Sequence, residues 1–245
     1  MPAPRLRMFA GPNGSGKSNL IAELQGQHIP LGSVVNADIV LAELQQSGFI
    51  DLKRFSLHNI TQEDWDETMR ETDLKSRVEK GNAELKIRVI ENILVSDTEN
   101  LGSYGTALIS DFLRYRLLKK KIAFSFETVM SHVSKVNFLK QAKEAGYITY
   151  LYYMATEDEY INVKRVENRV NQGGHPVSRE KIITRYHRSL NLLLDALREA
   201  DRAYIFDNSK KRNFVILEKK YDGIGYPQVN TYPLWFKKYV VNKAL

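Results

Sequence analysis

Cysteine is absent from the 245 residues, which excludes disulfides, thiolate nucleophiles and cysteine zinc sites. No apolar run approaches the roughly 20 consecutive residues that span a bilayer, and no internal repeat or low-complexity segment interrupts the chain. Neither a histidine-rich metal spacing nor a nucleophile elbow of the GxSxG type is present, so hydrolytic triads and preformed metal centres have no sequence support. A first apolar segment at about residue 5 leaves no room for a signal peptide, and a soluble cytoplasmic protein without a membrane partner is the expectation.

Acidic residues are in the minority. Lys and Arg number 36 against 29 Asp and Glu, a net charge of +7, which suits either a polyanionic small molecule or nucleic acid. The excess is local. Between Lys164 and Arg188 seven basic residues (Lys164, Arg165, Arg169, Arg179, Lys181, Arg185, Arg188) face two acidic ones. Arg165 and Arg169 are four apart on one expected helix, Lys181 and Arg185 four apart on the next, and Gly173-Gly174-His175-Pro176 breaks the chain between them. Such a hairpin can fold guanidinium groups over phosphates. The same run could instead be a solvated face. His175 could equally hydrogen-bond its own turn, and His187 is expected to face solvent.

The strongest signal is Gly11-Pro12-Asn13-Gly14-Ser15-Gly16-Lys17-Ser18, a complete GxxxxGK(S/T) phosphate loop. Its glycines let backbone N–H groups turn toward phosphate oxygens, Lys17 can reach the terminal phosphates, and the Ser18 hydroxyl can ligate magnesium. A strand-like segment, 5–10, precedes it and a helical one, 19–27, follows, as the motif requires. ATP with Mg2+ is therefore the expected cofactor pair; the residues of the NKxD guanine motif are missing.

Segments 33–37, 122–126, 147–155, 202–206 and 214–220 read as further strands, alternating with helices at 39–46, 132–145, 157–171 and onward to about 200. Along the last of these Ile182, Tyr186, Leu190, Leu193 and Leu197 repeat on one face. From 49 to 121 only helical signals are found: Ala83, Ile87, Ile90 and Leu94 recur at steps of three and four within 77–95, and a second helix is expected over 106–118. A terminal helix is expected at 233–243. The expectation is an α/β fold, a mostly parallel sheet covered on both faces, forming one domain over 1–245 with a helical insertion at about 50–121 and a lid at about 164–188. Ligands in such sheets sit beyond the carboxyl ends of the strands. That rule selects Asp38, Glu127, Thr128 and Asp207. Asp38 serves as a catalytic carboxylate or as the cap of the next helix, and Glu127 as a substrate or metal-water ligand or, again, a cap.

Taken together, AGPNGSGKSN, VNADIV, FSFETVMS and RVENRVNQGGHPVSREKIITRYHRSL resemble the zeta toxin family of P-loop kinases over nearly the whole chain outside the insertion. The resemblance implies an adenylate-kinase-like core and transfer of the γ-phosphate of ATP to a hydroxyl, in characterised toxins that of UDP-N-acetylglucosamine. It matches Lys17 and Ser18 to the phosphate loop, Asp38 to the catalytic carboxylate, Glu127 and Thr128 to a substrate-binding pair and Arg169 to a lid arginine. An antitoxin protein is a partner of the kind it implies. Where the family has a second arginine about a dozen positions on, this chain has the Gly-Gly-His turn, so Arg179, Arg185 or His175 must substitute. Two other readings accompany it: a nucleotide or polynucleotide 5'-hydroxyl kinase, suggested by the charge, and an ATP-gated interaction module, suggested by the insertion.

Overall fold

The computed structural model describes residues 2–71, 86–96, 102–174, 176–210 and 213–244. The chain divides into two compact units, Met1–Pro30 with Phe126–Leu245, and Leu31–Ser125. A mixed, mostly parallel seven-stranded sheet is the backbone of the α/β fold, with strands in the order β10 (Gly225–Pro227), β9 (Phe214–Lys219), β8 (Arg202–Asp207), β7 (Ile148–Ala155), β1 (Arg5–Ala10), β6 (Phe124–Thr128) and β2 (Ser33–Val35).

In the first unit β1 (Arg5–Ala10) pairs in parallel with β7 (Ile148–Ala155), and β7 in parallel with β8 (Arg202–Asp207). Leu6, Met8, Phe9 and Ala10 are all at most 1% exposed, so both faces of β1 are covered, as a central parallel strand requires. The aromatic run of β7 builds a ladder: Phe9 stacks on Tyr152 at 4.8 Å and Tyr152 on Tyr204 at 5.1 Å. The sheet then turns antiparallel through β9 (Phe214–Lys219) and β10 (Gly225–Pro227). The helices of this unit are α1 (Lys17–Gly26), α5 (Ser134–Glu144), α6 (Glu159–Asn171), α7 (Arg179–Asn191) and α8 (Leu193–Glu199). The expected single helix to 200 is thus two, meeting at Leu192, and its heptad face is buried as the spacing predicts. The expected terminal helix is present as short helical turns with a π-helical segment at Lys237–Val241.

The second unit carries β2 (Ser33–Val35), α2 (Ala37–Ser47), α3 (Gln62–Glu71) and α4 (Gly102–Lys119). It also corrects the reading of 49–121 as helical throughout. β3 (Phe49–Asp51), β5 (Ile93–Ser96) and β4 (Ile87–Ile90) form an antiparallel three-stranded sheet. Ile87 and Val89 are buried while Arg88 and Ile90 are exposed, a period of two that four residues are too few to distinguish from a helical face. The hairpin turns at Glu91 and Asn92, both at positive φ (48° and 69°), the backbone that two-residue hairpin turns use. Asn92 secures it: its Oδ1 accepts from Ile60 N–H at 2.9 Å and its Nδ2 donates to the Leu57 carbonyl at 3.0 Å. The remainder of the expected 77–95 helix, with Ala83, lies outside the described residues. Among the described residues no helix is long and apolar enough to cross a membrane.

Candidate active site

β1 ends at Ala10 and α1 begins at Lys17, so the six residues between them form the phosphate loop. Gly16 caps α1 in the left-handed region (φ 101°) and makes no side-chain cap hydrogen bond, so no cap side chain competes with an anion for the helix N-terminus. Lys17 is 6% exposed, and its Nζ donates to the carbonyls of Gly11 and Pro12, both at 2.9 Å. Glu127, at the end of β6 (Phe124–Thr128), completes the cluster: its Oε2 accepts from Ser18 Oγ at 3.0 Å and its Oε1 lies 3.7 Å from Lys17 Nζ. An ammonium so deeply buried needs a nearby counter-charge, and Glu127 supplies it.

The donor set suits magnesium held jointly with a nucleotide. Among the described residues no cluster of three or more His, Asp or Glu side chains could hold a metal by itself, while magnesium characteristically takes one or two protein oxygens and completes its shell with phosphate and water. Ser18 and Glu127 offer those oxygens. Two further loop atoms, Asn13 Oδ1 and Ser15 Oγ, are buried without a hydrogen-bond partner, a costly arrangement unless a ligand or water meets them.

The loop is gripped from behind. Asn162 of α6, fully buried, donates through Nδ2 to the Asn13 carbonyl, and Asn208, just beyond β8, donates through Nδ2 to the Ser15 carbonyl at 2.7 Å. These residues carry no motif. Asn162 signals itself only as a polar side chain beside the apolar Val163 and Val166 of its helix, and both partners are distant in sequence. Asp207, selected by the strand-end rule, is a structural peg: Oδ2 accepts from Trp235 Nε1 at 2.6 Å and Oδ1 from Ser209 N–H at 2.9 Å.

α6 and α7 form the expected basic hairpin, packed through Val163, Val166 and Ile182. Its turn needs glycine. Gly173 has φ 90°, and a Cβ on Gly174 would come within 2.8 Å of Arg169 Cγ. The Arg169 carbonyl accepts from both Gln172 and Gly174 N–H, and its side chain is exposed. Arg165 is half-buried with Nη1 lacking a hydrogen-bond partner, Arg185 is half-buried, and Arg179 lies over the Tyr160 ring at 5.4 Å. His175 lies outside the described residues. The His187 side chain is 42% exposed, as expected of a solvent-facing residue, and also meets the Tyr239 hydroxyl at 2.8 Å and Glu159 at 3.5 Å.

In the second unit Asn36, not Asp38, caps α2: its side chain accepts from Asp38 N–H at 2.9 Å and Ile39 N–H at 3.3 Å. Asp38 is exposed in the first helical turn, where its charge also suits the helix dipole. Glu127 is not a cap either, since α5 starts at Ser134. Thr128 is engaged locally, its Oγ1 accepting from Met130 N–H at 3.1 Å.

No protein-family model matches the chain. A 69-residue stretch is 33% identical to an uncharacterised protein of Haemophilus influenzae, a match covering 28% of this chain and 49%, about half, of that protein. Among solved structures, a chain of the PezAT chromosomal toxin-antitoxin system of Streptococcus pneumoniae aligns over 98% of this chain and 80% of its own length, with a TM-score of 0.51 and 12% identity. A chain of the AvrRxo1-ORF1:AvrRxo1-ORF2 complex with sulphate ions aligns over 92% of this chain with a TM-score of 0.58 and 11% identity; this chain spans about three fifths of it (61%). The same complex with ATP gives a TM-score of 0.54 at 10% identity, with 92% and 60% covered. At these identities it is the fold that is shared with these structures.

Proposed function

We propose that the chain is an ATP-dependent kinase of the zeta toxin family, one kinase domain that transfers the γ-phosphate of ATP to a hydroxyl of a small molecule, with a UDP-sugar such as UDP-N-acetylglucosamine as the acceptor. The observation that carries the reading is the joint engagement of Lys17, Ser18 and Glu127 at the head of α1. Phosphate oxygens take over the two hydrogen bonds that Lys17 Nζ gives to loop carbonyls, so the ammonium swaps neutral acceptors for charged ones. Ser18 and Glu127 would hold magnesium, which would supply charge neutralisation on the phosphates.

Phosphoryl transfer asks the protein for positioning and charge neutralisation. Asp38 takes the catalytic role of orienting the acceptor hydroxyl and accepting its proton, while Glu127 and Thr128 bind substrate. Arg169 and Arg185, with Arg165 and Arg179 beside them in the hairpin, spread positive charge over the transferring group; His175 belongs to the same lid. A toxin of this type would have an antitoxin partner, and the PezAT structure by its description is of a toxin-antitoxin system. Incubating the protein with labelled ATP, magnesium and a panel of UDP-sugars, nucleosides and oligonucleotides, followed by mass identification of products, tests the reading. A phosphorylated UDP-sugar that disappears with Lys17→Ala supports it; a labelled oligonucleotide 5' end, or no transfer to any acceptor, overturns it.

A further inference from the structure

The two asparagines behind the loop do more than fill space. In a trans peptide unit the carbonyl of one residue and the N–H of the next point in opposite directions. Fixing the Asn13 carbonyl against Asn162 therefore aims the Gly14 N–H the other way, and fixing the Ser15 carbonyl against Asn208 does the same for the Gly16 N–H. The loop glycines make this possible from their own side: a Cβ on Gly14 would come within 2.7 Å of the Asn162 carbonyl oxygen, and one on Gly16 within 2.4 Å of Asn208 Nδ2.

Asn162 is also the first link of a chain into the hairpin. Its Oδ1 accepts from Thr156 Oγ1, and the Thr156 carbonyl accepts from the Tyr186 hydroxyl on α7 at 2.7 Å. Burial, with Glu159 nearby, raises the Tyr186 pKa above its ordinary value, so that hydroxyl stays a donor. On α6, Arg165 and Arg169 follow Asn162 at steps of three and four, the spacing of one helical face.

We propose that Asn162 is a positioning residue which, with Asn208, clamps the phosphate loop by its outward carbonyls and fixes the rotation of α6, so that loop amides and hairpin arginines are set by one shared contact. The consequence for nucleotide rests on the kinase reading above; the clamp itself does not. Asn162→Asp keeps the volume and the acceptor for Thr156 and removes the donor to Asn13.

Two measurements on the full chain separate the ideas. Without nucleotide, amide hydrogen exchange over 13–18 is expected to quicken about tenfold in Asn162→Asp and Asn162→Ala beyond any global destabilisation, with exchange in α5 changing only by the amount the lowered overall stability explains. By calorimetry, MgATP is expected to bind Asn162→Ala about 30-fold more weakly, the effect of one lost buried hydrogen bond, and Asn162→Asp more weakly still because its carboxylate also repels the phosphates. Faster loop exchange alongside a wild-type protein that does not bind MgATP would uphold the clamp and defeat the kinase reading. Unchanged loop exchange in a folded variant overturns the clamp. Should both Asn162 variants fail to fold, Tyr186→Phe tests the same chain from its far end: about threefold faster loop exchange supports the link, and none removes it.

Discussion

Around the phosphate loop the buried polar contacts made by the supporting elements are neutral, from Asn162 to Asn13 and from Asn208 to Ser15. In the second unit the corresponding work falls to ions. Arg116, 3% exposed, pairs with Asp64 and Glu67, Lys119 pairs with Glu67 and Glu71, and buried Arg114 pairs with Asp111 while burial pulls its pKa down to about 10. The difference follows from what each region must leave free. A loop that receives a polyanion, as proposed, would be weakened by every carboxylate brought near it; amides hold its carbonyls, and Glu127 faces Lys17. The Arg116 and Lys119 cluster instead uses charge pairs, at the cost of sensitivity to pH and salt.

The largest effect is expected from breaking the charge of the loop. On the kinase reading, Lys17→Ala removes the ammonium proposed to neutralise the transferring phosphate, and phosphoryl transfer measured with labelled ATP should fall about 10³-fold, with a melting temperature close to that of the wild type. Unaltered turnover would show that the site lies elsewhere. Next comes the second unit. Arg116→Ala leaves Asp64 and Glu67 facing a hole where a buried guanidinium stood, and urea unfolding should show a loss of about 3 kcal/mol. Arg116→Met, which fills the hole, should recover only part, because Asp64 still loses its cation and Glu67 keeps only Lys119. Gly14→Ala ranks third. Its φ of 73° and the 2.7 Å approach to the Asn162 carbonyl predict a loss of about 2 kcal/mol in the same assay, and a fully stable variant would mean that the loop has room to shift.

The sequence made the loop readable because a phosphate nest is local: spacing, glycine and flanking periodicity lie within about twenty residues of one another. The core strands and the α6–α7 hairpin were readable for the same reason, each declaring itself by its own period. What stayed hidden depends on partners far along the chain. Asn162 and Asn13 are 149 positions apart, Asn208 and Ser15 193, and His187 meets Tyr239 52 residues on. The β4–β5 hairpin escaped for another reason. Its strands are four residues each, and Ile87, Ile90 and Leu94 fit a helical step until Asn92 is seen fixing a turn. Asp38 shows the limit at one residue: Asn36, two places earlier, provides the cap, a choice between adjacent favoured capping types that composition could not make.

The smallest expected effect tests the ionic side of the comparison directly. Hydrogen bonds from Lys119 first and Arg116 second hold the Glu67 carboxyl down to about 2, against about 4.3 for a glutamate in an unfolded chain. A carboxylate whose folded value is depressed stabilises the folded state above the unfolded value and loses that contribution as pH falls through the window to the folded one. Unfolding free energy measured by urea at pH 5, 4, 3 and 2.5 should therefore decline in the wild type with a slope that Glu67→Gln reduces, and the two proteins should converge toward pH 2. Glu67 is exposed enough for solvent to screen much of the interaction, so the difference at pH 5 is small and added salt should shrink it further. Parallel slopes in the two proteins would mean that Glu67 contributes nothing to holding Arg116, which would then rest on Asp64, beside the separate Arg114–Asp111 pair.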